Sequence, residues 1–302
     1  MATGFRTITG NNTTSWWGAN VSNKAVFLGY SFETQFSSFR SSTGDNRGSF
    51  QQLSDADKTL ARDALKQWAD VSGITFFEVP AGRGDLKFMK YDFAGSDNAG
   101  FAGFAYYPGV ELSFGYQSDI GGEIFINTTT RADLNLYLHE VGHALGFKHS
   151  FDGDPKLDTN LDNGNQTVMS YTGPRTGKLG PLDVQAVQYL YGLADKDGSQ
   201  VAGWSFANGN LTQTGTAASD QIRGLKTDDV INGGGGGDLI AAFRGNDVIT
   251  AGSATTRSTA ARKTTRSRRA SVPTRSSLAL APIPCATRAP APSTRSTNLD
   301  LR

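Results

Sequence analysis

Three histidines within eleven residues could hold a metal ion. The segment His139-Glu140-Val141-Gly142-His143-Ala144-Leu145-Gly146-Phe147-Lys148-His149 contains every histidine of the chain. On a helix, His139 and His143 stand one turn apart on one face, so both imidazoles reach a single ion. Glu140 follows the first of them and can hold and deprotonate a water without itself binding the metal. Gly146 can take a positive φ, end the helix and swing the chain back, so that His149 closes the site. Three neutral imidazoles leave a fourth position for water, the arrangement of a catalytic rather than a structural zinc. The bland alternative is a helix with two unrelated histidines and a third on the surface. It does not explain why all three fall on ligand positions.

The elements that must place these residues can be read from pattern. Residues 1–195 read as a mixed α/β domain. Strands are expected over 25–32, 74–79, 85–91, 101–107 and 123–127. Ser54, with Asp57 three residues on, is a capping box for a helix whose face is Leu60, Ala64, Leu65, Trp68 and Val71, stopped at Gly73. The histidine helix is expected over 130–145, with Leu134, Leu138, Val141 and Leu145 as its buried stripe. A third helix should start at Pro181 and run to Gly192.

Beyond residue 195 the texture becomes polar and glycine-rich, with a repeat of nine. Asp220, Asp229, Asp238 and Asp247 recur in phase, each followed two residues later by Ile222, Ile231, Ile240 or Ile249. Residues 233–241 fit G-G-x-G-x-D-x-U-x at every fixed position, and the other copies are degenerate. Glycines such as Gly234, Gly236 and Gly245 permit tight turns with inward carbonyls, and the aspartates add carboxylates. Together these make an oxygen cage suited to Ca²⁺. A flexible glycine linker would not keep aspartate and isoleucine in register. No Lys-Ser or Lys-Thr follows the glycines, which argues against a phosphate loop.

H-E-x-x-H-x-x-G-x-x-H is the signature of the metzincin proteases, and Val168-Met169-Ser170-Tyr171 resembles their methionine turn. With the nonapeptide repeats, the chain resembles the serralysin family over about residues 25–252. That resemblance implies a zincin-like α/β catalytic domain followed by an all-β parallel β-roll in residues 196–252. It implies a secreted, extracellular zinc endopeptidase that also binds Ca²⁺ and cleaves protein or peptide substrates. Met169 would be the apolar floor beneath the ligands, and Tyr171 would stabilise the oxyanion. Gly103, Phe104 and Ala105 would form the edge strand along which substrate lies extended, in balance with an ordinary sheet strand. In the roll, aspartates would pair between alternate repeats, Asp220 with Asp238 and Asp229 with Asp247. A monomer that leaves the cell through a one-step (type I) exporter is expected. A calcium-dependent adhesion module with a vestigial protease site is the alternative from another class.

Charge divides the chain. Its net +1 combines 10 Lys and Arg against one acidic residue in positions 253–302 with 19 against 27 before them. The basic tail has no aromatic residue to make a nucleic-acid platform, so no nucleic-acid partner is expected; its composition predicts disorder. It can also be read as out of frame. Residues 254–261 can be encoded GCG ACG ACA CGA TCT ACG GCG GCN, which two bases later reads Asp-Asp-Thr-Ile-Tyr-Gly-Gly. That frame restores an aspartate at position 256 and an isoleucine at 258, and permits an aspartate at 265 and an aliphatic residue at 267. The single cysteine, Cys285, excludes a disulfide framework and a cysteine-built zinc site. No apolar run approaches the ~20 residues of a membrane span, and residues 1–5 do not begin like a removable export signal.

Overall fold

The computed structural model describes residues 4–10, 14–36, 47–108, 121–252 and the backbone of 110–111, 116–117, 257–260 and 266–268. A short helix α1 (Arg6–Thr9) and a hairpin of β1 (Thr14–Ser15) and β2 (Gly18–Ala19) precede strand β3 (Val26–Phe32). Helix α2 (Asp55–Asp70) starts at a complete capping box: Asp57 N donates to Ser54 Oγ and Ser54 N donates to Asp57 Oδ2. Strands β4 (Ile74–Glu78), β5 (Leu86–Tyr91), β6 (Gly103–Ala105) and β9 (Glu123–Asn127) follow, with a small hairpin of β7 (Val110–Glu111) and β8 (Tyr116–Gln117) before β9. The main sheet has the order β4-β3-β5-β9-β6. Its first four strands are parallel, and the edge strand β6 runs antiparallel to β9.

Helices α3 (Leu134–Leu145) and α4 (Pro181–Tyr191) complete this half. The expected start of α3 at 130 is four residues early. Asn127 accepts from Thr129 N and Oγ1, which holds 127–130 in a turn, and Asp133 caps the helix by accepting from Leu136 N at 2.9 Å. Trp68 of α2 donates to Leu138 O, and its ring stacks on Phe147, so α2 holds α3 from behind. Leu28, Leu86, Phe88, Ile124, Leu138, Val141 and Leu145 lie in the same buried cluster.

After a 3₁₀ turn at Ala194–Lys196 the chain forms β10 (Gly203–Ala207), β11 (Asn210–Thr214), β12 (Gln221–Arg223), β13 (Val230–Asn232), β14 (Leu239–Phe243), β15 (Val248–Thr250), β16 (Arg257–Ala260) and β17 (Arg266–Arg268). Two sheets alternate: β10-β11-β13-β15-β17 and β12-β14-β16. Apart from the β10–β11 hairpin, the pairings are parallel and displaced by 18 residues, as in Ile222 beside Ile240 and Ile231 beside Ile249, with one register shift after Ala241 that sets Phe243 beside Ala260. One coil therefore consumes two nine-residue units. Ser258 stands beside Ile240 and Ser267 beside Ile249, so the nine-residue phase continues into the basic segment. The rest of that segment, with Cys285, lies outside the described residues.

The two halves share a core. Phe27, Phe77 and Val79 of the main sheet pack with Val201, Leu211, Ile222, Leu225, Ile231, Ile240 and Ile249. Arg223 donates to Phe27 O and to both oxygens of Asp85, at 2.8 and 3.2 Å, with both side chains essentially sealed from solvent. Lys226 adds a bond to Gly84 O. The sequence boundary at 195/196 is thus not a boundary in packing.

Candidate metal centre

Helix α3 carries His139, Glu140 and His143 on its buried length and ends at Gly146, whose φ of 109° turns the chain. A side chain there is doubly excluded, because a Cβ would come within 2.1 Å of Thr14 O. The turn returns His149 to the helix. Nε2 of His143 then lies 3.1 Å from Nε2 of His139 and 3.0 Å from Nε2 of His149. Among the described residues, these three make the one group of metal-ligating side chains with all donor atoms within 4.8 Å of one another.

The outer nitrogens decide the tautomers. His139 Nδ1 is 2.7 Å from Val168 O, and His143 Nδ1 is 2.7 Å from Phe147 O. A carbonyl only accepts, so each Nδ1 carries the proton. His149 Nδ1 is 2.7 Å from Asp152 Oδ2, which sets the same tautomer. The Nε2 atoms therefore turn their lone pairs toward one another in a buried space, and of the three His149 Nε2 also accepts from the Tyr171 hydroxyl, 2.7 Å away. Protonation does not relieve this: burial pushes His139 down to about 3, holds His143 well below its ordinary value and lowers His149. Three converging lone pairs call for a cation. Zinc–nitrogen bonds of about 2.0–2.1 Å at tetrahedral angles require N···N separations of about 3.3 Å, so the residues fit zinc.

Other groups complete the site. Tyr171 Oη lies 2.7 Å from His149 Nε2. Glu140 is buried, and its carboxylate lies against the edge strand: a methyl group on Gly103 would come within 2.9 Å of Glu140 Oε1. Phe104 and Ala105 continue that edge and are buried. Met169 is fully buried, its sulfur so close under α3 that a Cβ on Gly142 would meet it at 2.6 Å. Beside His139 and Tyr171 a cavity of about 100 Å³ is lined by Asn135, Ser170, Thr172 and Arg175.

Sequence reasoning missed the residues that hold the ligands. Asp183 of α4 accepts from Thr167 Oγ1 (2.6 Å), Val168 N (2.8 Å) and Gly180 N (2.7 Å), fixing the methionine turn and the carbonyl that orients His139. Burial raises its pKa to about 6 against the pull of those donors. Asp152 orients His149 as described. The readable signal for Asp183 was an acid three residues beyond the helix start at Gly180; its reach to Thr167 was not in the pattern.

In the repeat region the four aspartates stack in pairs 18 residues apart. Asp220 N donates to Asp238 Oδ1 and Asp229 N to Asp247 Oδ1, both at 3.1 Å. Asp220 also accepts from Thr216 N, and Asp229 from Leu225 N and Thr227 Oγ1. Gly234 and Gly245 have positive φ and lie so close to the preceding coil that a Cβ would strike Thr216 O or Thr227 O, at 2.1 and 1.9 Å; a Cβ on Gly236 would meet Ala218 at 2.4 Å. Burial, with a smaller contribution from Asp247, raises Asp229 to about 7, and burial raises Asp247 to about 6. Among the described residues, Asp247 Oδ2 has no hydrogen-bond partner.

Residues 49–192 match the matrixin peptidase family. The chain is 33% identical over 211 residues to a metalloprotease AprA of Pseudomonas entomophila, covering 60% of this chain and 42% of that protein. It is 31% identical over 222 residues to serralysin B of Dickeya chrysanthemi, covering 64% and 44%. It is 32% identical over 145 residues to matrix metalloproteinase-18 of Xenopus laevis, covering 45% and 28%. The chain spans about half the length of the bacterial relatives it matches. With the zincin-type helix, the three-imidazole cage and the methionine beneath it, these likenesses show that the chain belongs to the serralysin-type metzincins.

Proposed function

We propose that the chain is a secreted zinc endopeptidase in which Glu140 is the general base. The convergence of three unprotonated Nε2 atoms beside a buried glutamate and an edge strand carries this reading. His139, His143 and His149 would hold the zinc, which when bound supplies Lewis acidity to water and to a peptide carbonyl. Substrate lies extended along Gly103, Phe104 and Ala105, the edge strand of the main sheet among the described residues, where main-chain pairing would accept a peptide of any sequence. Glu140 takes the proton of the attacking water at its carboxylate and delivers it to the leaving amine. The Tyr171 hydroxyl, at the mouth of the cage, donates to the carbonyl oxygen as charge develops there. The cavity beside His139 has room for one small polar side chain of the substrate. Casein hydrolysis should be blocked by a zinc chelator and restored by added Zn²⁺; hydrolysis indifferent to chelation would refute the reading. Tyr171→Phe should lower kcat about 10²-fold with zinc content unchanged, checked by steady-state kinetics beside metal analysis.

The repeat region reads as a calcium-binding β-roll, supported by the 18-residue stacking and the buried aspartates. Asp220, Asp229, Asp238 and Asp247 would supply carboxylates, and the loops of Gly234, Gly236 and Gly245 carbonyls. The raised values of Asp229 and Asp247 give the pH dependence a sign. The folded coil binds protons that the unfolded chain, with aspartates at their ordinary value of 3.8, has released. Without Ca²⁺ the stability these two aspartates contribute is therefore fully present below about 4 and is lost as pH rises through about 6–7. Calcium added near pH 6 should release protons into an unbuffered solution and protect the coil from proteolysis. Neither effect would occur if the aspartates did not bind it.

The out-of-frame reading of residues 253–302 gains support from register. Positions 258 and 267, where the shifted frame places aliphatic residues, stand beside Ile240 and Ile249. The gene's nucleotide sequence tests this: a frame that does not yield repeats overturns it.

A further inference from the structure

The three zinc-directed histidines are not held equally. Val168 O and Phe147 O, both main-chain atoms of the core, orient His139 and His143. His149 depends on the carboxylate of Asp152, which is 43% exposed. An exposed side-chain partner fixes little by itself. Beneath this turn lies the ammonium of Lys148. It donates to Asp152 O, to Pro155 O at 2.9 Å and to Thr7 O at 2.6 Å, with His149 O at 3.4 Å. The Lys148 amide donates to Ile8 O at 2.8 Å. One half-buried cation thus gathers carbonyls from α1 and from both ends of the 149–155 turn. Carbonyl oxygens facing one point repel unless a cation or donor joins them, so loss of the ammonium frees the turn that carries Asp152.

We propose that Lys148 is a positioning residue for the third metal ligand: by pinning the main chain of Asp152 to α1, it keeps the Asp152 carboxylate on His149 and sets how long zinc stays bound. This rests on the zinc reading above. The test uses the full chain loaded with zinc and a colorimetric chelator in excess, following zinc release by stopped flow. Partners that orient metal-bound histidines change metal affinity about 10–100-fold. Lys148→Met and Asp152→Ala should each speed release by that order. The double variant should be little faster than either single one, because both act through one hydrogen bond. Lys148→Arg, which keeps a donor cation, should recover most of the wild-type rate. If Lys148→Met does not fold, Lys148→Gln is read in the same assay. A lowered melting temperature with an unchanged release rate, or effects of Lys148 and Asp152 that multiply, would overturn the proposal and leave Lys148 a stabilising residue only. A wild-type chain that binds no zinc fails the metal reading itself, a distinguishable outcome.

Discussion

Glu140→Gln should reduce casein turnover by about 10²–10⁴-fold, the range of a lost general base, while zinc content stays at one per chain. The side chain is buried on α3 beside His139 yet outside the three converging nitrogens, so removing its charge leaves the cage intact. Glutamine keeps the volume in a place where the edge strand at Gly103 approaches closely. It cannot take the proton from water at neutral pH. Kinetics of the purified variant, read beside its metal content, separate the two effects. Near wild-type turnover would remove Glu140 from the chemistry, and loss of zinc would make it part of the cage.

The second large effect is far from the metal. Arg223→Met should lower stability by about 3–5 kcal/mol, because it strands Asp85 as a buried charge. Asp85 immediately precedes β5 and also accepts from Gly29 N, so it ties the main sheet internally as well as to the coil. Removing Arg223 also takes a cation from the faces of Trp16 and Phe243. Lys226, 3.8 Å from Asp85, compensates only in part. Replacing both partners, Asp85→Asn with Arg223→Met, should be less damaging than the sum of the single changes. Denaturant titration followed by tryptophan fluorescence and by proteolytic activity checks this. Both signals should move together, since the halves share a core; activity that outlasts the unfolding of the coil would show that they do not.

The chemistry was legible because it is local. Two imidazoles four residues apart, a glycine that turns the chain and a third imidazole are facts of spacing, and so is the Ser54–Asp57 box that starts α2. The nine-residue phase of aspartate and isoleucine is likewise a fact of spacing; that it would form a parallel roll came from the resemblance to the serralysins. The bracing was not legible, because it joins segments remote in sequence: Lys148 reaches back to Thr7, Asp183 to Thr167, and Arg223 to Asp85 across 138 positions. The early start expected for α3 failed for a local reason. The apolar stripe begins only at Leu134, and Asn127 holds the residues before it in a turn.

Metal analysis with zinc-edge X-ray absorption on the purified full chain tests the central claim most directly. One zinc per chain with three nitrogen neighbours at about 2.0 Å is expected, with loss of that signature in His143→Ala. A chain that binds no zinc, or binds it equally well without His143, would contradict it.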